Sequence, residues 1–213
     1  MFKFTSSEIR DLIIAFVFIS LSFAIASSGR NPDAILSILP MIMVGVGAGF
    51  ILHELGHKFV SMKYGYWAEF KLWPQGLLFA LVTSFFGFVF AAPGAVYTYA
   101  NYMTDEINGK ISVAGPIVNI ILALIFLALA AVFYPGAFNS ETSLTLFIIC
   151  SLGFSINSFL ATFNLIPIGN LDGSKVLRWN AGIWVIVIGI AGVMTALSMT
   201  VGAENIIRII IGF

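Results

Sequence analysis

A chain of 213 residues that is 60% hydrophobic and only 9% charged, with a mean hydropathy of +1.03, cannot cover a water-facing surface, because soluble domains carry charge on about a quarter of their residues. Its formal net charge is zero, which offers nucleic acid or another polyanion nothing to hold. The single cysteine, Cys150, excludes an internal disulfide and a cysteine-rich metal site.

Most of the surface must therefore face lipid, and the chain divides into apolar stretches. The first ten residues are of mixed charge, and Leu12 to Ala26 follows as an apolar run. With no convincing cleavage site and more apolar runs behind it, this is expected to be a retained first span, not a leader. Arg30, Asn31, Pro32 and Asp33 make a polar turn. The second span covers 35–62 and is apolar until it meets His53. Residues 63–76, with Lys63, Glu69 and Lys71, read as a wetter loop closed by Pro74 and Gly76. Residues 77–100 are apolar but rich in Phe and β-branched residues and are interrupted by Pro93 and Gly94; Val96 to Tyr102 looks more like strand than helix. A polar stretch at 105–110 precedes a clean span at 111–133. The segment 144–171 is apolar as far as Ile166, where it meets Pro167; 180–201 is the last long span, and 206–213 is a short apolar tail. The expected fold is an all-α polytopic membrane protein, one domain over 1–213, with about five or six transmembrane helices and a small re-entrant or β-like segment.

Residues 53–57 read His-Glu-Leu-Gly-His. Four-residue spacing on a helix puts both imidazoles on one face, where they can grip one Zn2+ ion, and Glu54 beside the first can reach water at the metal. These are the only two histidines in the chain, and three ionisable residues inside an apolar span are costly unless they work. A catalytic zinc needs a third protein ligand. No third His exists, and of the 10 acidic residues all but Glu54 and Asp172 fall in loops, tails or span ends that water reaches. Asp172, in Asn-Leu-Asp-Gly at the end of an apolar helix, is the remaining carboxylate, its other reading being an ordinary turn residue before Gly173.

Topology gives a separate test, because His53 and Asp172 can share an ion only near one membrane face. With the N-terminus in the cytoplasm and 77–100 returning to the side it left, eight of the 10 Lys and Arg residues lie inside, leaving only Arg30 and Arg208 outside. A single crossing at 77–100 would move Lys110, Lys175 and Arg178 out and part Asp172 from the histidines. The positive-inside rule and the zinc geometry choose the same arrangement. His53 then lies about 15 Å along the helix from Lys63, within the bilayer and nearer the cytoplasmic face. Such a site needs a polar route, for which Asn119, Asn157, Asn164 and Asn170 are candidates. Asn119 and Asn157 either line that route and touch substrate or bond helices to one another. Gly45 and Gly49 share the face of His53 and would let another helix approach closely.

At this point the residues resemble the site-2 protease family of intramembrane zinc metalloproteases. Three stretches carry the resemblance in order: His53-Glu-Leu-Gly-His57, Ala114-Gly115-Pro116-Ile-Val-Asn119, and Asn164-Leu-Ile-Pro167 leading to Leu171-Asp172-Gly173. Asn170 stands where many members carry Pro. The resemblance implies a three-helix catalytic core (35–62, 111–133, 144–171), the same three zinc ligands, a membrane-associated β region over 66–102, and a role for Asn164 in positioning substrate or the oxyanion. It also implies hydrolysis of membrane-spanning protein substrates, often in regulated intramembrane proteolysis, in the cell membrane. The alternative is a transporter or ion pathway using intramembrane His and carboxylates, but no inverted repeat is present. A zinc protease with a Glu third ligand is disfavoured by the shortage of intramembrane Glu, and a dead scaffold by the intact Glu54.

Overall fold

The computed structural model describes residues 3–212. Helix α1 (Ser6–Ser27) starts where the Thr5 hydroxyl accepts from the Glu8 amide, and the chain turns after it through Gly29 and Arg30, both at positive φ. Asn31 caps and Pro32 opens α2 (Pro32–Val46), which passes through a π turn (Gly47–Ile51) into α3 (Leu52–Lys63). There follow β1 (Trp67–Leu72), α4 (Pro74–Ser84), β2 (Gly94–Tyr99), α5 (Asp105–Phe133), α6 (Glu141–Asn164), α7 (Asp172–Trp179), α8 (Ala181–Thr200) and α9 (Gly202–Ile211). Among the described residues, five stretches are long and apolar enough to cross a bilayer: Ser6–Ser27, Pro32–Lys63, Asp105–Phe138, Glu141–Asn164 and Ala181–Thr200. The chain is a multi-pass helical membrane protein with one small sheet.

The middle segment contains no helix long enough to cross a bilayer among the described residues. Helix α4 has 11 residues, about 16 Å of length against the roughly 30 Å that a hydrocarbon core requires. Strands β1 and β2 pair antiparallel with Leu72 opposite Gly94, and the Trp73 N–H donates to the Pro93 carbonyl at 2.7 Å. Residues 73–93 therefore leave and return at one point. Their tip at Ser84–Gly87 shares a pocket with Ile25 and Ala26 at the end of α1 and with Gly29 and Arg30 just after it. The segment is a hairpin whose two ends meet at the β1–β2 sheet.

Several boundaries differ from the reading of the sequence. The wet loop expected at 63–76 contains β1, whose Ala68 and Phe70 are buried while Lys71 is exposed; its strand character comes from pairing with β2, which a polar composition hides. The strand expected over 96–102 lies at 94–99. The polar stretch 105–110 is the first part of α5, capped by Thr104 with Asp105 and Glu106 at its positive end. The expected helix 144–171 is two elements: α6 stops at Asn164, and Asp172 opens α7 instead of closing an apolar helix. The expected tail is α9, which packs Ala203, Ile206 and Ile207 against α5 and α6; Phe213 lies outside the described residues.

The core has two main parts. Ile19, Ile42 and Phe163 bury the contact of α1, α2 and α6, and Phe70 of β1 joins them. Phe126, Phe154 and Ile207 do the same for α5, α6 and α9. Gly45 and Gly49 do permit close packing: a Cβ on Gly45 would lie 3.1 Å from the Gly153 Cα, and one on Gly49 2.7 Å from the Asn157 Oδ1, both on α6.

Candidate metal centre

One turn of α3 separates His53 from His57, and their Nε2 atoms lie 3.0 Å apart. The Oδ2 atom of Asp172 is 3.0 Å from His57 Nε2 and 3.4 Å from His53 Nε2. All three residues are buried, and each offers one ligand atom to a common point. A tetrahedral ion bonded at about 2.0–2.1 Å spaces its ligands about 3.3–3.4 Å apart, so this triangle fits one face of a zinc tetrahedron. Space confirms the fit. A Cβ on Gly115 of α5 would come within 2.5 Å of His57 Nε2 and 2.6 Å of His53 Nε2, so glycine keeps that side of the histidines clear.

Each histidine is held from behind. His57 Nδ1 lies 2.8 Å from the Ile111 carbonyl, an acceptor only, so it carries the proton and leaves the Nε2 lone pair for a metal. His53 Nδ1 lies 2.6 Å from Asn119 Oδ1, with the same consequence. Asp172 arrives by a different route. Pro167 cannot continue α6, Gly169 takes a left-handed turn at φ 57°, and α7 begins at Asp172. Gly173 sits so close under α6 that a Cβ there would strike the Leu165 carbonyl. Lys175 Nζ stands 3.5 Å from Oδ1, the oxygen that does not face the histidines.

Glu54 is buried next to this group, and its Oε2 has no hydrogen-bond partner among the described residues. Glu54, the two histidines and Asp172 line a cavity of about 930 Å³, with Phe90 to Ala92, Gly94 to Thr98 and Ile168 to Leu171 on its other walls. Asn164 also lines it, with its Nδ2 donating to the Leu160 carbonyl at 2.9 Å. Asn170 is on the wall as well. Asn119 and Asn157 are not: both are fully buried between helices. Asn119 Nδ2 donates to the Gly49 carbonyl and to Asn157 Oδ1, and Asn157 Nδ2 donates to the Gly45 and Gly153 carbonyls. Direct contact with substrate is not what these two positions offer, because helix packing closes them off from the cavity.

The sequence reading missed three features. Glu8 was expected to be reachable by water, yet it is 2% exposed and paired with Lys58 at 2.5 Å, with Phe70 N–H donating to it as well. Both its oxygens are engaged there, so Asp172 remains the carboxylate beside the histidines. The backbone Ile111 carbonyl carries no side-chain signal at all. Gly115 had one, a Gly-Pro pair inside an apolar span.

No family model matches the chain, and no solved structure matches it. Curated proteins do. A protein of Methanocaldococcus jannaschii named as a candidate zinc metalloprotease (MJ0611) is 43% identical over 188 residues, which cover 88% of this chain and 92% of that protein. A candidate zinc metalloprotease of Bacillus subtilis (YwhC) is 30% identical over 156 residues, 67% of this chain and 70% of that one. A third, the zinc metalloprotease MJ0392 of M. jannaschii, is 28% identical over 68% of this chain but only 34% of its own length. The first of these similarities runs through nearly the whole of both proteins, and the residues gathered above suit the metal in its name, so the chain belongs to this family of zinc metalloproteases.

Proposed function

We propose that this zinc metalloprotease cuts membrane-spanning protein substrates inside the bilayer, as a site-2-type intramembrane protease, with His53, His57 and Asp172 as metal ligands and Glu54 as general base. The observation that carries the reading is the unpartnered Glu54 Oε2, buried in the same cavity as the three convergent ligand atoms. His53, His57 and Asp172 would hold a zinc ion that would supply Lewis acidity toward a scissile carbonyl and water, three protein ligands being the set that leaves a position open for chemistry. Glu54 takes the proton from the attacking water and passes it to the leaving amine. Asn164, on the cavity wall, has one amide hydrogen committed to Leu160 and a second with which to meet the developing oxyanion.

A transmembrane helix hides its carbonyls in its own hydrogen bonds, so the substrate must unwind before it is cut. Among the described residues strand β2 pairs with β1 alone, and its residues Gly94 to Thr98 line the cavity. An extended substrate segment fits alongside it by strand addition. The hairpin path of 73–93 supports the topology that keeps the N-terminus, the zinc site and eight of the 10 basic residues toward the cytoplasm, in the cell membrane. The deciding experiment is Glu54→Gln in purified protein. Metal analysis should show stoichiometric zinc, and cleavage of a reconstituted single-span substrate should vanish, since Gln keeps the shape and cannot act as a base. Near-wild-type cleavage by this variant would overturn the mechanism.

A further inference from the structure

Three polar groups run in line from the metal centre into the packing of three helices, and their order has a direction. Asn157 Nδ2 faces two backbone carbonyls, Gly153 O at 2.8 Å and Gly45 O at 3.3 Å. Carbonyls only accept, so the nitrogen end of this amide must point at them and the oxygen end must point away, at Asn119. Asn119 Nδ2 then donates to Asn157 Oδ1 at 3.0 Å and to Gly49 O at 3.0 Å. That leaves Asn119 Oδ1 facing His53 Nδ1 at 2.6 Å. An oxygen there requires a proton on Nδ1, and a neutral imidazole with Nδ1–H has its lone pair on Nε2, where the metal ligand atom is needed.

We propose that Asn157 is a positioning residue that acts through Asn119 to fix the tautomer of His53, so that two glycine carbonyls set which nitrogen of a metal ligand is free. The inference rests on His53 being a zinc ligand, as argued above. Reversing Asn157 would put its NH2 against the Asn119 NH2 and its oxygen against two carbonyls, which no rotation of the buried group relieves; both side chains are fully buried. The glycine stripe on α2 and the π turn now has a purpose beyond packing. Gly45 packs directly on Gly153 and Gly49 on Asn157, and this closeness brings both carbonyls within reach of the amides. His57 needs no such chain, because a backbone carbonyl holds its Nδ1 directly.

The chain contains only two histidines, so nitrogen-15 imidazole NMR of the metal-free protein resolves the question without activity. In the wild type both rings should be Nδ1–H. In Asn157→Leu, Asn119 loses one of its two acceptors and can turn over, so His53 should populate both tautomers while His57 stays Nδ1–H. Zinc affinity, measured by competition with a chromophoric chelator, should fall about 10–100-fold, the usual cost of losing an outer partner of a metal ligand. Asn157→Asp, buried as the neutral acid with its hydroxyl donating to the Gly153 carbonyl, keeps an acceptor for Asn119 and should restore the His53 tautomer and most of the affinity. A purely structural role would lower the melting temperature in both variants and leave the tautomer of His53 equal to that of His57. An unchanged tautomer and unchanged zinc affinity in Asn157→Leu would overturn the proposal, and so would an Nε2–H His53 in the wild type, which needs no variant to fold. Absence of zinc binding by the wild type would instead strike the proposed function itself.

Discussion

Replacing Gly115 by alanine would set a methyl carbon 2.5 Å from His57 Nε2 and 2.6 Å from His53 Nε2, where ordinary contact begins at 3.4 Å. The rings would have to retreat by the difference, 3.4 − 2.5, about 0.9 Å, whereas a metal site tolerates about 0.2 Å in its bond lengths. They cannot retreat freely, because Asn119 and the Ile111 carbonyl hold their Nδ1 atoms at 2.6 and 2.8 Å. Zinc affinity should therefore fall on the order of 100-fold or more, at the upper end of what losing an outer partner costs. Overpacking should lower stability by about 1–3 kcal/mol. Gly56→Ala is the control. Gly56 lies between the two histidines on α3, but the nearest atoms to a Cβ there are Val118 Cγ2 at 3.2 Å and the Ala114 backbone at 3.4 Å, which a few tenths of an ångström relieve. The assay is chelator competition for zinc with thermal melting alongside. If Gly115→Ala binds zinc as tightly as the wild type, or if Gly56→Ala loses as much, the geometric reasoning is wrong.

Asp172→Ala should weaken zinc binding about 100-fold or more by leaving two protein ligands; metal analysis showing full, equally tight zinc would refute the ligand set. Lys58→Met should cost about 3–5 kcal/mol in denaturant unfolding, because Glu8 would stay buried without its cation. The double variant with Glu8→Leu should recover much of that loss, and a single variant as stable as the wild type would show that the pair is worth nothing. In a Cys150→Ser background, cysteines at Tyr102 and Arg178 should react with an impermeant thiol reagent from the cytoplasmic side and one at Asn139 from the other; labelling of the first two from opposite sides would refute the shared site.

What could be read from the sequence was what is local. His53, Glu54 and His57 announce themselves because four-residue spacing on a helix is a property of the chain alone. Asp172 emerged by elimination, although one premise failed. Glu8 looked wet because it stands near the N-terminus, and its partner Lys58 is 50 positions away, a pairing that no window reveals. Pro167 signalled a break in α6, but not that the chain would restart at Asp172; that depends on Gly173 fitting under the Leu165 carbonyl. Asn119 and Asn157 stayed open because helix rotation decides whether an intramembrane amide faces a cavity or a neighbour, and periodicity in a span apolar on every side does not report rotation.

Irregular backbone is the costly element in a bilayer, since no water satisfies it there unless it lines a cavity or is bonded within the protein. This protein breaks its helical ladder at the π turn 47–51, in the link 165–171 and in the extended run 88–93, and all three border the metal centre or its cavity. Side chains answer some of the freed groups: Asn119 donates to the Gly49 carbonyl, Trp184 Nε1 to the Leu165 carbonyl, and Thr83 Oγ1 accepts from the Phe90 N–H. Residues Phe90 to Ala92 and Ile168 to Leu171 form cavity wall. Under the proposed function a peptide bond is hydrolysed within the membrane, which requires that an unwound backbone be tolerated there; the places that accept the protein's own irregular chain would then be the places that accept an unwound substrate. The same breaks place the candidate metal ligands: the π turn ends two residues before His53, and the link delivers Asp172.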